Sequence, residues 1–326
     1  MSVILITVSL LVFGYDVDDW QWTPGVGFVN AQTQEQKTPL EFYTFGVGLA
    51  TQRRTDEALA VFHLLLTNVS DSKLQEEVRF IRGKILWSGS RFQDAYLALD
   101  DFLRRFPVSK KAEEAKQLEM DSAFRVAKKK ETSGFWAGVP LLKWLARSSR
   151  EGLDMLRMSL QRYPREPFSS LYYYKMAELL FEDGDFDTAS HELKFILAEY
   201  PRTAEVPKAI LLLGKIGLNK FDSIEYDIHG LKEARRHFER FIEEAPILSA
   251  ISSDAAGFIQ QSLPYAKKKI SFINDKEAEK EFRVGEYYRR KGLIRSARIY
   301  FEAVKKGYPN TSWAKKAEKK LSELSP

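Results

Sequence analysis

A small residue followed twelve positions later by proline recurs along this chain, and that spacing constrains the fold more than any other feature. The small residues are Ala58, Ala95, Gly152, Ala189, Ala234 and Ala297, and the prolines are Pro107, Pro164, Pro201, Pro246 and Pro309. The first copy lacks the proline and ends in Asn68-Val69-Ser70-Asp71. Four residues after each small residue stands a large apolar one: Phe62, Leu99, Leu156, Leu193, Phe238 and Phe301. On a helix that pair lies one turn apart on one face. The small residue lets two helices approach closely, and the proline ends the second helix. The period is near 37 residues, with inserts in copies three, five and six.

The fullest copy, Ala278–Pro309, places Gly285, Tyr288, Ala297, Phe301 and Pro309 at relative positions 8, 11, 20, 24 and 32. Those positions resemble the tetratricopeptide (TPR) helix-turn-helix repeat. The expected fold is therefore all-α, a TPR-like solenoid of about five to six repeats whose copies bury their apolar faces on one another. Apolar residues make up 44% of the 326, enough for a continuous core, and no alternating run suggests a sheet. A net charge of +5 permits an anionic partner without requiring one.

The expected organisation begins with an apolar run, Val3–Phe13, within 1–14. It is too short for a membrane span and suits a signal peptide cleaved after Gly14 or an N-terminal anchor, although no basic residue precedes it. Residues 15–38, with Trp20-Gln21-Trp22-Thr23-Pro24-Gly25, read as an extended leader. Repeats one and two occupy 39–107. A basic helix (Ser109–Lys130), an apolar insert (134–146) and repeat three occupy 108–164. Repeats four and five occupy 165–246, and a long helix, repeat six and a C-terminal helix occupy 247–326. Pro264 predicts a kink or break in that long helix.

Nothing in the sequence points to catalysis. No Walker loop, GxGxxG, HExxH or GxSxG motif is present, and there is no cysteine. His63, His191, His229 and His237 form no metal-ligand spacing, so neither cofactor nor metal is expected. The acidic residues, interspersed with lysines, read as solvated helix faces.

Two segments carry a more specific resemblance. Ser271–Pro309, SFINDKEAEKEFRVGEYYRRKGLIRSARIYFEAVKKGYP, is similar to the last repeat of the BamD/YfiO-type outer-membrane β-barrel assembly lipoproteins. Leu231–Phe241 with Pro246, after Tyr226-Asp227, is similar to the family's penultimate repeat. The resemblance implies a non-catalytic scaffold at the periplasmic face of the outer membrane. Its C-terminal repeats would dock on the periplasmic domain of a β-barrel insertase and its N-terminal repeats would receive unfolded outer-membrane proteins. Lys276 matches a basic residue of the family's docking helix, and Arg289 and Arg290 are expected to extend that contact. No nucleic acid is implied, and association with the membrane would be peripheral. The family's lipobox cysteine is absent here, so a lipid anchor on this sequence is excluded.

Repeat phase places a concave groove on the first helices. Tyr43, Phe80, Lys84 and Trp87 are its N-terminal lining, an expected seat for an extended segment ending in an aromatic residue and a carboxylate. Tyr174 and Phe282 occupy the same repeat position as Tyr43 and Phe80. A different periplasmic adaptor, in cell-wall synthesis or division, or an accessory superhelix of an envelope hydrolase, is the alternative.

Overall fold

In the computed structural model, residues 17–128, 140–221 and 228–324 are described, with 140–149 described for backbone only. They form thirteen α-helices and one small sheet. The signal-peptide reading at 1–14 and most of the 134–146 insert lie outside the described residues. The chain divides into two compact units, Met1–Pro164 and Arg165–Pro326.

Helices pair as the repeat phase requires. In the first unit the pairs are α1 (Pro39–Thr51) with α2 (Thr55–Asn68), α3 (Ser72–Ser88) with α4 (Phe92–Arg105), and α5 (Ala112–Ala127) with α6 (Pro140–Arg162). In the second they are α7 (Ser169–Glu182) with α8 (Phe186–Glu199), α9 (Glu205–Asn219) with α10 (His229–Ser249), and α11 (Ser253–Arg290) with α12 (Ile294–Gly307). The closing helix is α13 (Ser312–Glu323). The basic helix expected at Ser109–Lys130 is thus α5, the first helix of copy three.

A second small position, a glycine on the first helix of copies one, two, five and six, has a direct geometric cause. A methyl group built on Gly46 would lie 2.8 Å from the Phe62 ring, and one on Gly285 2.7 Å from Phe301. Gly83 faces Leu99 and Gly214 faces Phe238 in the same way. Each large residue plugs the gap its glycine leaves on the opposite helix, and Phe62, Leu99, Phe238 and Phe301 are all fully buried. The turn between paired helices also repeats. Arg53, Ser90, Gly184 and Gly292 have φ of 63, 60, 82 and 75°, and each stands five residues before its small residue. Reversal of the chain there requires the left-handed region, which glycine enters without cost and arginine and serine enter against a modest penalty.

Four second helices stop two residues before their proline: α4 before Pro107, α6 before Pro164, α8 before Pro201 and α12 before Pro309. Pro246 does not act this way. It lies inside α10, which continues to Ser249 because Ala245 and Leu248 bury into a cluster with Ile259. Pro264 likewise lies inside α11, which is helical throughout its 38 residues. Burial on both flanks, at Ile259, Ala266 and Ile273, outweighs the one backbone hydrogen bond that proline removes.

The leader reading is corrected. Val17–Asp19 form a 3-10 turn, and β1 (Trp20–Thr23), β2 (Gly27–Asn30) and β3 (Gln36–Lys37) form an antiparallel sheet. Pro24 and Gly25, the latter at φ 81°, make the hairpin turn, closed by Val26 N–H donating to the Thr23 carbonyl at 3.0 Å. The sheet packs Trp20 and Phe28 on Phe42 of α1, with ring centroids 5.2 and 4.0 Å away. A terminal repeat lacks a neighbour on its outer face, and this hairpin covers that face.

Candidate docking surface

Charge is unevenly placed along the chain. Residues 265–326 hold seventeen Lys and Arg against eight Asp and Glu, a net of +9, whereas the whole chain carries +5. The first 264 residues therefore sum to −4. Two carboxylates of helix α11 face the core. Glu277 and Glu279 are buried at 7% and 8% exposure. Glu277 accepts hydrogen bonds from Arg235 of α10 and from the Tyr308 hydroxyl. Glu279 accepts from Lys276 at 3.2 Å and from Arg283 at 2.6 Å. Burial pushes the Glu279 carboxyl up, but the two cations outweigh it and hold it below its ordinary range, so it stays ionised.

With two cations sharing one inward carboxylate, the outer face keeps an excess of positive charge. Steps of three and four residues align Phe272, Lys276, Lys280, Arg283, Tyr287 and Arg290 along this face. Phe272 and Tyr287 are 43% and 52% exposed. The Lys276 ammonium lies 5.9 Å from the Phe272 ring centroid. Lys280, Arg283, Tyr287, Tyr288 and Arg290 line a shallow groove of about 650 Å³, together with Val284 and one carboxylate, Glu286.

Of the three expected docking residues, Lys276 and Arg290 share this stripe and Arg289 does not. Thirteen residues after Lys276, Arg289 is turned by roughly 140° around the helix, whereas Arg290 returns to within about 40°. Arg289 closes instead on Glu286, at 2.9 Å. Sequence reasoning misses Lys280, Arg283, Phe272 and Tyr287, although counting in threes and fours from Lys276 finds them.

The expected N-terminal groove is largely spoken for. Phe80 is 6% exposed and packs on Phe102, and Tyr43 packs on Phe62. At the equivalent position Phe282 is wedged between Phe301 and Trp313. The Trp87 indole N–H donates to Asp121 of α5 at 2.8 Å. Lys84 pairs with Glu114 of α5 at 2.7 Å and lies 5.4 Å from the Phe80 ring centroid. These residues join copy two to copy three. The Lys84–Glu114 pair is about half-exposed on both sides, and such pairs contribute at most about 1 kcal/mol.

The reading of acidic residues as solvated faces also fails in the first unit. Asp100 of α4 and Glu119 of α5 are buried, and Arg162 of α6 lies 2.5 Å from Asp100 and 3.8 Å from Glu119. Asp100 also pairs with Arg104. The Ser159 hydroxyl donates to Glu119 Oε1 at 2.7 Å, and Glu119 Oε2 has no hydrogen-bond partner. Burial pushes the Glu119 carboxyl up to about 7, against the opposing pull of Ser159 and Arg162. In the second unit His191 and His237 share a cleft of about 290 Å³ with Asp187 and Glu233. Burial, with help from Arg236, pushes His237 down to about 4, so it is neutral at pH 7. Among the described residues no group of three or more side chains could hold a metal ion.

Known proteins resemble this chain at two levels. A tetratricopeptide repeat protein from Parabacteroides merdae is similar over 88% of this chain and 98% of its own, at 13% identity and a TM-score of 0.37. A thermophilic TPR protein from Thermus thermophilus is similar over 68% of this chain and 98% of its own, at 16% identity and a TM-score of 0.30. No curated protein matches the chain. The family model described as "YfiO: Outer membrane lipoprotein" matches residues 143–324, which is more than half of the chain and includes every helix of the basic C-terminal surface. The helical-repeat architecture and this match together place the chain in the YfiO (BamD-type) outer membrane lipoprotein family.

Proposed function

We propose that this protein is a non-catalytic scaffold of the cell envelope, acting at the periplasmic face of the outer membrane. Its α11 stripe docks an acidic surface on the periplasmic domain of a β-barrel insertase. The observation that carries this reading is the excess of cations along one stripe of α11, where Lys276, Lys280, Arg283 and Arg290 stand around two exposed rings with Glu286 as the carboxylate in the groove beside them. Cations set among aromatic anchors suit an acidic protein surface: the rings supply burial, and the charges supply orientation and rate of encounter. Reception of unfolded outer-membrane proteins along α1 and α3 is the second part of the proposal. There Lys84 would exchange Glu114 for a substrate carboxylate.

A pull-down from envelope extract with the full chain, read by mass spectrometry, tests the partner. The expected result is enrichment of the insertase, lost in Lys276→Glu at physiological salt. Recovery of a cell-wall synthase or hydrolase in its place would favour the alternative adaptor reading. For the groove, Lys84→Glu is expected to weaken binding of a peptide ending in an aromatic residue and a free carboxylate. Unchanged peptide affinity would remove Lys84 from that role.

A further inference from the structure

The turn between α11 and α12 breaks a local rule that its counterparts keep. In copies one, two, four and six the residue at the N-cap of the second helix is Arg54, Arg91, Asp185 and Leu293. Asp185 caps its helix by accepting a hydrogen bond from the Thr188 N–H at 3.1 Å. Arg54 and Arg91 do not cap, but each pairs with an acidic residue of the first turn, Glu57 and Asp94 respectively. Leu293 makes no capping bond and has no charge to pair. Leucine is among the poorest choices at an N-cap.

Core packing does not account for it. Leu293 is 52% exposed and its neighbour Ile294 41%. Neither belongs to the cluster around Phe282, Ala297 and Phe301, nor to the residues packed against that cluster. Side chains that break a local preference and gain no burial point to a use outside the fold. Around the pair stand Arg290, Lys291 and Arg295, all exposed, and Gly292 at φ 75° forms the reversal. Tyr287, exposed on the last turn of α11, lies 5.9 Å from the Lys291 ammonium.

We propose that this turn, Tyr287 to Arg295, seats shallowly in an anionic phospholipid surface. An aliphatic pair at a reversal, ringed by three cations and a tyrosine, matches the layers of a bilayer interface. Leu293 and Ile294 reach the acyl boundary, Arg290, Lys291 and Arg295 meet the phosphates, and Tyr287 sits at headgroup level. Among the described residues no helix is long and apolar enough to cross a membrane, so the contact is peripheral. The net charge of +9 over 265–326 adds long-range attraction to the same surface. Tyr287 and Arg290 also stand on the proposed insertase stripe, but Lys291, Leu293, Ile294 and Arg295 do not, and Lys276 and Lys280 lie outside the turn, so variants at 293–294 and at 276 let either proposal fail alone.

Co-sedimentation of the full chain with vesicles tests it. The wild type is expected to bind vesicles of phosphatidylethanolamine with phosphatidylglycerol and not vesicles of phosphatidylcholine alone. Leu293→Asn combined with Ile294→Ser is expected to lower anionic-vesicle affinity on the order of tenfold or more. The same variant gains a capping side chain at the N-cap, so its thermal midpoint should hold or rise, and misfolding would not explain the loss. Lys276→Glu should retain vesicle binding. Failure of the wild type to bind anionic vesicles, or wild-type vesicle affinity in the double variant, would overturn the proposal. Loss of a protein partner by the double variant with vesicle binding intact would assign the turn to a protein surface instead.

Discussion

Replacing Gly152 by alanine is expected to destabilise the first unit by about 2–3 kcal/mol, although alanine is the better helix former by about 1 kcal/mol. A methyl group there would lie 2.2 Å from the Ala127 nitrogen, 2.6 Å from the Ala127 Cα and 2.7 Å from the Val126 carbonyl carbon. All three are backbone atoms of α5, so no side-chain rotation relieves the contact and the helix itself must retreat. Gly257, inside α11 with nothing within 4 Å of a built methyl group, is the control. Gly257→Ala should gain about 0.5–1 kcal/mol from helix propensity alone. Urea denaturation of both variants checks this. An unchanged or raised midpoint for Gly152→Ala would mean that the close approach of α5 and α6 is wrong.

The first unit should become more stable as pH falls from about 8 to 5. Burial raises Glu119 to about 7 in the folded chain, above its ordinary carboxylate value of 4.5. The folded state therefore takes up a proton near neutrality, whereas the unfolded state waits until about pH 4.5. Between those two values the folded state holds more protons, so stability rises as pH falls, and the full cost of the ionised form is felt above about pH 7. The shift corresponds to a cost of about 3 kcal/mol as an order of magnitude. Glu119→Gln keeps an oxygen for the Ser159 hydroxyl and removes the buried charge. It should stabilise the protein by about 1–3 kcal/mol at about pH 8 and flatten the slope between about pH 5 and 8. A Gln variant whose unfolding keeps the wild-type pH slope would show that Glu119 is not the titrating group.

The repeat phase is legible in the sequence because it rests on a steric requirement that leaves few residue choices. Gly285 must be small where Phe301 must fill, and the same constraint recurs at Gly46, Gly83 and Gly214. The N-terminal sheet escapes a reading of alternation because its strands have four, four and two residues. The Pro24-Gly25 turn between two aromatic-bearing runs is the available signal. Pro246 has the spacing of a terminator, but the burial of Ala245 and Leu248 that overrides it comes from packing with α11. Glu119 looks solvated because it follows Lys116 at helical spacing. Its burial depends on Ser159 and Arg162, remote in sequence on α6. Lys84 belongs to the groove by phase, yet Glu114 of the next repeat reaches it. Arg289 lies off the stripe that carries Lys276 by helical phase alone, and it pairs with Glu286.

Docking through the α11 stripe is most directly tested by equilibrium binding between the full chain and the purified periplasmic region of a β-barrel insertase, measured over a series of salt concentrations. The wild-type affinity is expected to fall steeply with added salt, because exposed charges more than about 10 Å apart are screened at about 0.1 M. Lys280→Glu should weaken binding on the order of tenfold at low salt and leave the helical content unchanged. An insertase affinity that is insensitive to salt and equal in the charge-reversed variant would contradict docking through α11.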